Sequence, residues 1–312
     1  MSRRADRADQ LSRSLATYTK NVRPLPGIVD KERADAFIEQ LVESTRRTEY
    51  VRTMLDRPLS EERRLPNCAG FDPVLGAIVC MRNGDYEEAC WLTLLGVQFG
   101  RARVGGWELC RAVYGRLGNG PTSSWTRTVG DVSELCNWIE DNAERIRIGP
   151  PRRRFGNHRK YESLKETDGR GTPRTIRTYV AWVKAIGSHK ELIDSAIAGA
   201  EDDPYLAFDT LYRSMSAVAS FGRLARFDYL SMLGKLRVAS IKAGSTYLTS
   251  STGPLKGAQL LFTQKGAEVP STRIMDSRLR DLGEALGVTM QDLEDAICNW
   301  QKSPNSFKAF RG

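Results

Sequence analysis

The sequence lacks the residue patterns that most metal sites and membrane anchors require. Its six cysteines include no CxxC pair, and its only two histidines are His158 and His189. Zinc ligands usually come in pairs at short spacing, so no zinc site is expected. No apolar run is long enough to span a bilayer and no signal peptide is recognisable. We therefore expect a soluble cytoplasmic protein with reduced cysteines.

Strand patterns are also missing. No run of alternating β-branched residues is bracketed by hairpin turns, and no internal repeat or low-complexity tract is present. Apolar residues instead recur at helical spacing in residues 30–57, in three segments between 74 and 117, in 131–146, in 174–200 and in 203–236. Asn83-Gly84-Asp85 and Val104-Gly105-Gly106 separate the three segments, and residues 118–127 are predicted to form a loop. The predicted fold class is therefore mainly α.

The sequence has fewer acidic residues than basic ones. Lys and Arg total 47 against 38 Asp and Glu, which gives a net charge of +9 and a pI near 9.3. This balance favours a polyanionic partner, and nucleic acid is the commonest one.

Composition divides the chain into four segments. They are a basic N-terminal arm (1–27), an N-terminal helical region (28–148), a basic loop or flap (149–172) and a C-terminal helical region (173–312). The flap interleaves Tyr161 and other aromatic residues with arginines and lysines. Such a mixture suits a base that stacks on a ring while cations neutralise its backbone. A plain basic surface loop is the alternative, and length and interleaving favour function.

The stretch 208–236 contains two helical patterns separated by Ser220-Phe221-Gly222. Arg223, Arg226 and Asp228 then fall in the first turns of the second helix. Helix N-termini attract anions, so the two arginines would form a phosphate cradle. Two core helices with an exposed charged end fit the pattern equally well.

A second helix start follows the Thr252-Gly253-Pro254 turn, with Lys256 in its first turn. These residues could hold a pyrophosphate, although the Walker spacing of a nucleotide P-loop is absent.

Six segments together resemble a known family. They are EEACWLTLLGVQFGR (87–101), FGNHRKYES (155–163), FDTLYRSM (208–215), SFGRLARFDYL (220–230), STGPLKGAQLLF (251–262) and LEDAICNWQKSP (293–304). In this order they resemble the α-glutamyl/putrescinyl-thymine pyrophosphorylase family, its third clade most closely, over roughly residues 70 to 310.

The resemblance implies a helix-hairpin-helix DNA-glycosylase-like fold and a role in bacteriophage thymine hypermodification. In that chemistry an amine, such as an amino acid or putrescine, displaces pyrophosphate from a modified thymine in DNA, and the base is flipped out of the helix. The chain departs from glycosylases at two points: SFGR (220–223) replaces the usual hairpin, and TYLTSSTGP (246–254) has no Asp at the position of the glycosylase carboxylate. The second departure argues against cleavage of the N-glycosidic bond.

Displacement of pyrophosphate needs cations for the leaving group and a base for the amine. The candidate base is Asp228, followed by Glu162 and His158. The candidate pyrophosphate or DNA ligands are Arg159, Lys160, Arg223, Arg226, Thr252, Gly253 and Lys256, and the candidate stacking rings are Tyr161, Phe221 and Tyr229. Asp228 could instead cap a helix or pair with Arg226, and Glu162 could be a surface charge.

The expected partners are DNA with a modified thymine and a small amine, without a membrane. No cofactor is expected, and the residues leave open whether a divalent metal accompanies the pyrophosphate. If the chain is phage-encoded, it would act in the host cytoplasm. Two other functions fit the pattern less well: a base-excision DNA glycosylase, and a non-catalytic helical DNA-binding module.

Overall fold

A computed structural model describes residues 3–264 and 266–309 of the chain. Within these ranges the chain forms fifteen α-helices and no β-strand, with two isolated bridges, Ala102–Gly106 and Ser163–Gly171. The mainly α class predicted from the sequence is therefore confirmed. None of the helices in the described ranges combines the length and apolar composition needed to cross a bilayer.

The described residues fall into two compact units, and the boundary lies within the second helix. The terminal unit comprises residues 3–51 and 243–309, and the central unit comprises Arg52–Lys242. The helices are α1 (Arg3–Asn21), α2 (Lys31–Asp56), α3 (Pro73–Arg82), α4 (Tyr86–Phe99), α5 (Glu108–Tyr114), α6 (Trp125–Gly130), α7 (Val132–Asp141), α8 (Ala143–Arg147), α9 (Thr172–Lys184), α10 (His189–Gly199), α11 (Pro204–Ser214), α12 (Arg223–Lys235), α13 (Gly253–Phe262), α14 (Thr272–Leu286) and α15 (Met290–Trp300).

The terminal unit includes most of the predicted basic arm. Leu11, Leu15 and Tyr18 of α1 are buried in the same core as residues of α13, α14 and α15. The basic residues of the predicted arm therefore belong to a helix that packs into this core. The four compositional segments stay a prediction, and residues 1–2 and 310–312 of the outer two lie outside the described ranges.

Two glycines let α13 approach α15 closely. A Cβ on Gly253 would lie 2.6 Å from Cys298 Sγ, and one on Gly257 would lie 2.3 Å from the Ile297 carbonyl oxygen. These residues are four apart, so they occupy one face of α13. Helix packing is therefore sufficient to explain both glycines.

The central unit is built around α4. This helix is apolar on all sides and buries Trp91, Leu92, Leu95 and Phe99, which is expected of a helix enclosed by others. It contacts α3, α5, α6, α10 and α12. The end of α4 lies beside the candidate site described below.

Most predicted helix positions between 74 and 117 are confirmed, including the breaks before α4 and α5. Two predictions were wrong in detail. Residues 118–127 were predicted as a loop, but α6 already begins at Trp125. The Ser124 hydroxyl caps this helix by accepting a hydrogen bond from the Arg127 amide at 3.5 Å. The single helix predicted over 131–146 is two helices, because the backbone leaves helical geometry at Asn142.

Candidate active site

The predicted break before α12 is confirmed. Ser220 has a positive φ of 60°, and α12 begins at Arg223 with Gly222 as its N-cap. Gly222 has no side chain to accept a hydrogen bond from the first amides of the helix. The N-terminus of α12 is therefore left without a side-chain cap, which favours an anion nearby.

The flap is anchored to the end of α4 by two glycines. The Gly156 amide donates to the Phe99 carbonyl at 2.8 Å, and a Cβ on Gly156 would lie 2.8 Å from the carbonyl carbon of Gly100. A 3₁₀ turn, Asn157–Arg159, follows directly. This close backbone approach positions the Arg159 side chain, whose Nε donates to the Val97 carbonyl at 2.9 Å.

Arg159 and Asp228 come together across the flap and α12. Arg159 Nη2 lies 3.6 Å from Asp228 Oδ2, and the two side chains are 8% and 30% exposed. This separation is too long for a hydrogen bond. Among the described residues Arg159 Nη2 has no hydrogen-bond partner, although the atom is buried. A buried guanidinium that keeps a free donor is suited to bind an anion.

The surroundings of Asp228 are predominantly cationic. Burial raises the pKa of its carboxyl group, while Arg159, His158, Arg223 and Lys235 oppose the rise. The effect of burial on the pKa of Asp228 is therefore larger than the opposing effect of these four groups. The Asp228 side chain is nevertheless partly exposed, so its carboxyl group lies in a recess that solvent reaches.

Glu162 is a second carboxylate at the same place. Its side chain is 4% exposed, and burial raises its pKa against the effects of Arg159, Arg170 and the Gln98 amide. Among the described residues its Oε2 has no hydrogen-bond partner. Glu162 is thus a buried group, whereas the sequence had also allowed an exposed surface charge.

The exposed ring of Tyr161 lies on the same flap. Its side chain is 70% exposed. Lys160 Nζ lies 4.9 Å from the ring centroid, and the Arg170 guanidinium lies 5.8 Å from it. An exposed ring flanked by two cations can stack on a base while the cations contact its phosphates.

The other two candidate rings are enclosed. Phe221 is 3% exposed, and its ring centroid lies 5.9 Å from the Arg159 guanidinium. Tyr229 is 1% exposed, and its hydroxyl lies 2.7 Å from that of Tyr179. In this conformation neither ring offers a free face to a base.

Arg226 is turned toward α11. Its Nη1 donates to the Tyr212 carbonyl at 3.2 Å, and its guanidinium lies 4.5 Å from the Tyr212 ring centroid. It is not paired with Asp228 in this arrangement, in contrast to one of the alternatives that the sequence allowed.

Thr252, Gly253 and Lys256 belong to the terminal unit. Lys256 is exposed in the first turns of α13, and Gly253 packs against α15 as described above. Their assignment to pyrophosphate stays a prediction.

Sequence reasoning missed a buried chain of polar side chains behind α12. Glu87 Oε2 lies 2.6 Å from His189 Nδ1, His189 Nε2 lies 2.7 Å from the Tyr179 hydroxyl, and Tyr179 in turn contacts Tyr229. Burial lowers the pKa of His189, which favours the neutral ring. Since ionised Glu87 only accepts, Nδ1 carries the proton, Tyr179 donates to Nε2, and Tyr229 donates to Tyr179. Glu87 and His189 are 102 positions apart, so no local spacing could reveal the pair.

The site therefore combines a buried cation with an unused donor, two carboxyl groups with raised pKa values, and an exposed aromatic ring between cations. Such a set can bind a phosphate-bearing ligand and accept a proton beside it.

The chain matches the family described as alpha-glutamyl/putrescinyl thymine pyrophosphorylase clade 3 over residues 32–312. No curated protein and no solved structure matches it.

Proposed function

Because the chain belongs to clade 3 of the alpha-glutamyl/putrescinyl thymine pyrophosphorylase family, a family of thymine-modifying pyrophosphorylase-type enzymes, we propose that it is an amine:DNA transferase. Its substrate would be 5-(pyrophosphoryloxymethyl)uracil in DNA, and the amine would come from an amino acid or a polyamine. The observation that carries this proposal is the Arg159–Asp228 pair, with its 3.6 Å separation and unused guanidinium donor.

The proposed reaction is a substitution at the exocyclic methylene carbon. The amine nitrogen donates its electron pair to that carbon, and the carbon–oxygen bond to pyrophosphate breaks with its electron pair remaining on oxygen. The new carbon–nitrogen bond leaves a protonated nitrogen, which gives one proton to a base. The products are the aminomethyl-uracil adduct and inorganic pyrophosphate.

Arg159 is the proposed ligand for the leaving group. Negative charge grows on the departing oxygen, and a cation already fixed at that place stabilises it without reorganising during the reaction. Arg223 and His158 add positive potential at the same carboxyl group and would attract the pyrophosphate to the site. The uncapped N-terminus of α12 supports this assignment, since its amides favour an anion.

Asp228 is the proposed base. A general base works best when its pKa approaches the working pH, and burial moves the pKa of Asp228 upward in that direction. Glu162, the second buried carboxyl group, would accept a hydrogen bond from an N–H group of the incoming neutral amine and so orient its electron pair toward the methylene carbon. The unpartnered Glu162 Oε2 supports this role.

The target base would leave the duplex to reach these groups, since a methylene carbon inside the stack is not accessible to them. Tyr161 is the proposed ring that receives the base or its neighbour, because it is exposed and flanked by cations. Phe221 and Tyr229 would need to leave the core to do so.

Asp228→Asn tests the base directly. We expect pyrophosphate release from the modified DNA in the presence of amines to fall about 100- to 10,000-fold, because the amide cannot accept the proton. Asp202→Asn is the matched control: Asp202 is exposed on the central unit, and its positive φ of 62° suits Asn. Circular dichroism would verify that both variants are folded.

Equal rates for Asp228→Asn and Asp202→Asn would remove Asp228 from the mechanism. Formation of abasic sites in place of an adduct would identify a base-excision glycosylase. DNA binding without either product would identify a non-catalytic DNA-binding module.

A further inference from the structure

Two short segments of the central unit lie side by side, 100–106 and 149–156. A Cβ on Gly156 would lie 3.0 Å from the Arg101 amide nitrogen, and a Cβ on Gly105 would lie 3.5 Å from Cγ of Pro151. Residue 100 thus lies beside residue 156, and residue 105 lies beside residue 151. Within the first segment, Ala102 and Gly106 form a bridge across a turn at 103–105. We name this pair of segments the arginine ribbon.

Arginines alternate with inward-facing residues along both segments of the ribbon. In 100–106, Arg101 and Arg103 are exposed and Ala102 between them is buried. In 149–156, Arg152 and Arg154 are exposed on either side of Arg153. Each segment therefore presents two arginines to solvent.

The inward arginine fixes the second segment. Arg153 Nη1 donates to the carbonyl oxygens of Ile146 and Ile148. The nearby carboxylate of Glu108 is 2.8 Å from Arg111 and 4.0 Å from Arg153, so it is already shared between two cations.

The four outward arginines have no such partners. These arginines are Arg101, Arg103, Arg152 and Arg154. Within the described ranges, their side chains make no hydrogen bond or ion pair. Four cations on two adjacent segments repel one another, and the binding of an anion with repeated charges would relieve this repulsion.

The ribbon also leads to the candidate site. A Cβ on Gly100, at one end of the ribbon, would lie 3.6 Å from Cγ of Arg159. One end of the ribbon therefore lies beside Arg159, the proposed ligand for the leaving group.

We propose that the arginine ribbon is a docking surface for the phosphate backbone of DNA beside the target nucleotide. This inference rests on the proposed function for its choice of DNA as the polyanion. Phosphates repeat along DNA at a spacing that several cations in a row can follow, and contacts of this kind position the nucleic acid without reading its sequence.

The test measures binding of the full chain to a short unmodified DNA duplex over a range of salt concentrations. We expect each ribbon variant, Arg101→Ala/Arg103→Ala and Arg152→Ala/Arg154→Ala, to flatten the slope of log affinity against log salt by about 2, since each phosphate contact contributes about 0.9. Arg52→Ala/Arg57→Ala is the charge-matched control, because both residues are exposed on the central unit. Its slope should equal that of the unchanged chain.

Equal slopes for the ribbon and control variants, with all of them folded by circular dichroism, would overturn the proposal. In the transfer assay the ribbon variants should raise the KM for DNA and leave kcat at saturating DNA unchanged. Binding to unmodified DNA needs no transfer chemistry, so the ribbon proposal can be confirmed even when no adduct forms. If adducts form and the ribbon variants have the same KM for DNA as the unchanged chain, the ribbon proposal is refuted and the proposed function is not.

Discussion

At the scale of single residues, three described carboxyl groups of the central unit have pKa values above their ordinary values because of burial: Glu88, Glu162 and Asp228. The last two lie at the candidate site. Glu88 lies elsewhere, where its oxygens accept hydrogen bonds from the Tyr114 hydroxyl at 2.7 Å and the Trp125 amide at 2.6 Å. A raised pKa alone therefore does not identify a catalytic residue, and the proposal for Asp228 depends also on the neighbouring Arg159 and its unused donor.

Glu88 should make the protein less stable as pH rises. Burial raises its pKa from 4.5 to about 7. Between these values the unfolded chain has lost the proton and the native chain retains it, so the free energy of unfolding falls with pH by up to about 3 kcal/mol. Glu88→Gln should remove the part of this fall that Glu88 contributes and leave the parts from Glu162 and Asp228, as measured by urea unfolding at a series of pH values.

Glu144→Gln serves as the control for that series, since Glu144 is exposed on α8. If the free energy of unfolding of Glu88→Gln falls between pH 4.5 and about 7 as much as that of the unchanged chain, Glu88 does not hold the extra proton.

The sequence was sufficient to select Arg159, Glu162 and Asp228 as candidates, because residue types and local spacing indicate which groups can bind phosphate or accept a proton. It was not sufficient to show which candidates are enclosed. Tyr229 and Tyr161 are both tyrosines among charged neighbours, and only tertiary packing places the first in the core and the second in solvent. Arg101 and Arg103 were missed for the same reason, since their proximity to the flap depends on close contacts of Gly100 and Gly156.

At the scale of elements, α12 determines where Asp228 lies, and the polar chain behind it fixes this helix. Tyr179 of α9 joins the hydroxyl of Tyr229 on α12 to the ring of His189 on α10. All three side chains are buried, so each hydrogen bond avoids the cost of an unsatisfied polar group.

Tyr179→Phe should therefore lower the free energy of unfolding by about 1–3 kcal/mol, because His189 Nε2 and the Tyr229 hydroxyl lose their shared partner. Urea unfolding at constant pH would measure the change. Tyr205→Phe removes the same atom from a residue that is 50% exposed and should change little. A Tyr179→Phe variant as stable as Tyr205→Phe would mean that the hydrogen-bond chain does not stabilise the central unit.

Helix positions were predictable where apolar periodicity and glycine breaks coincide, as before α4 and α12. They were not predictable where a polar side chain alone starts or ends a helix. Ser124 starts α6 within a stretch rich in glycine and serine. Asn142 interrupts an otherwise continuous apolar pattern, and its side-chain amide donates to the Trp138 carbonyl at 2.9 Å. Such local hydrogen bonds compete with periodicity and leave little trace in it.

At the scale of the whole molecule, the net charge of +9 indicates a polyanionic partner but does not locate it. Many of the cations are paired within the protein, such as Arg116 with Glu134 at 2.7 Å and Arg177 with Glu166 at 3.1 Å. The uncompensated arginines of the ribbon are a small subset. Composition therefore indicated the class of partner, whereas proposing a surface for that partner required the folded arrangement.

The most direct test of the proposed function is mass spectrometry of nucleosides from DNA that carries 5-(pyrophosphoryloxymethyl)uracil, digested after incubation with the protein and a mixture of amino acids and polyamines. We predict a new aminomethyl-uracil nucleoside together with released pyrophosphate, and the mass of the adduct would identify the amine. An unchanged nucleoside after incubation with folded, DNA-binding protein would contradict the proposal, as would loss of the base from the DNA.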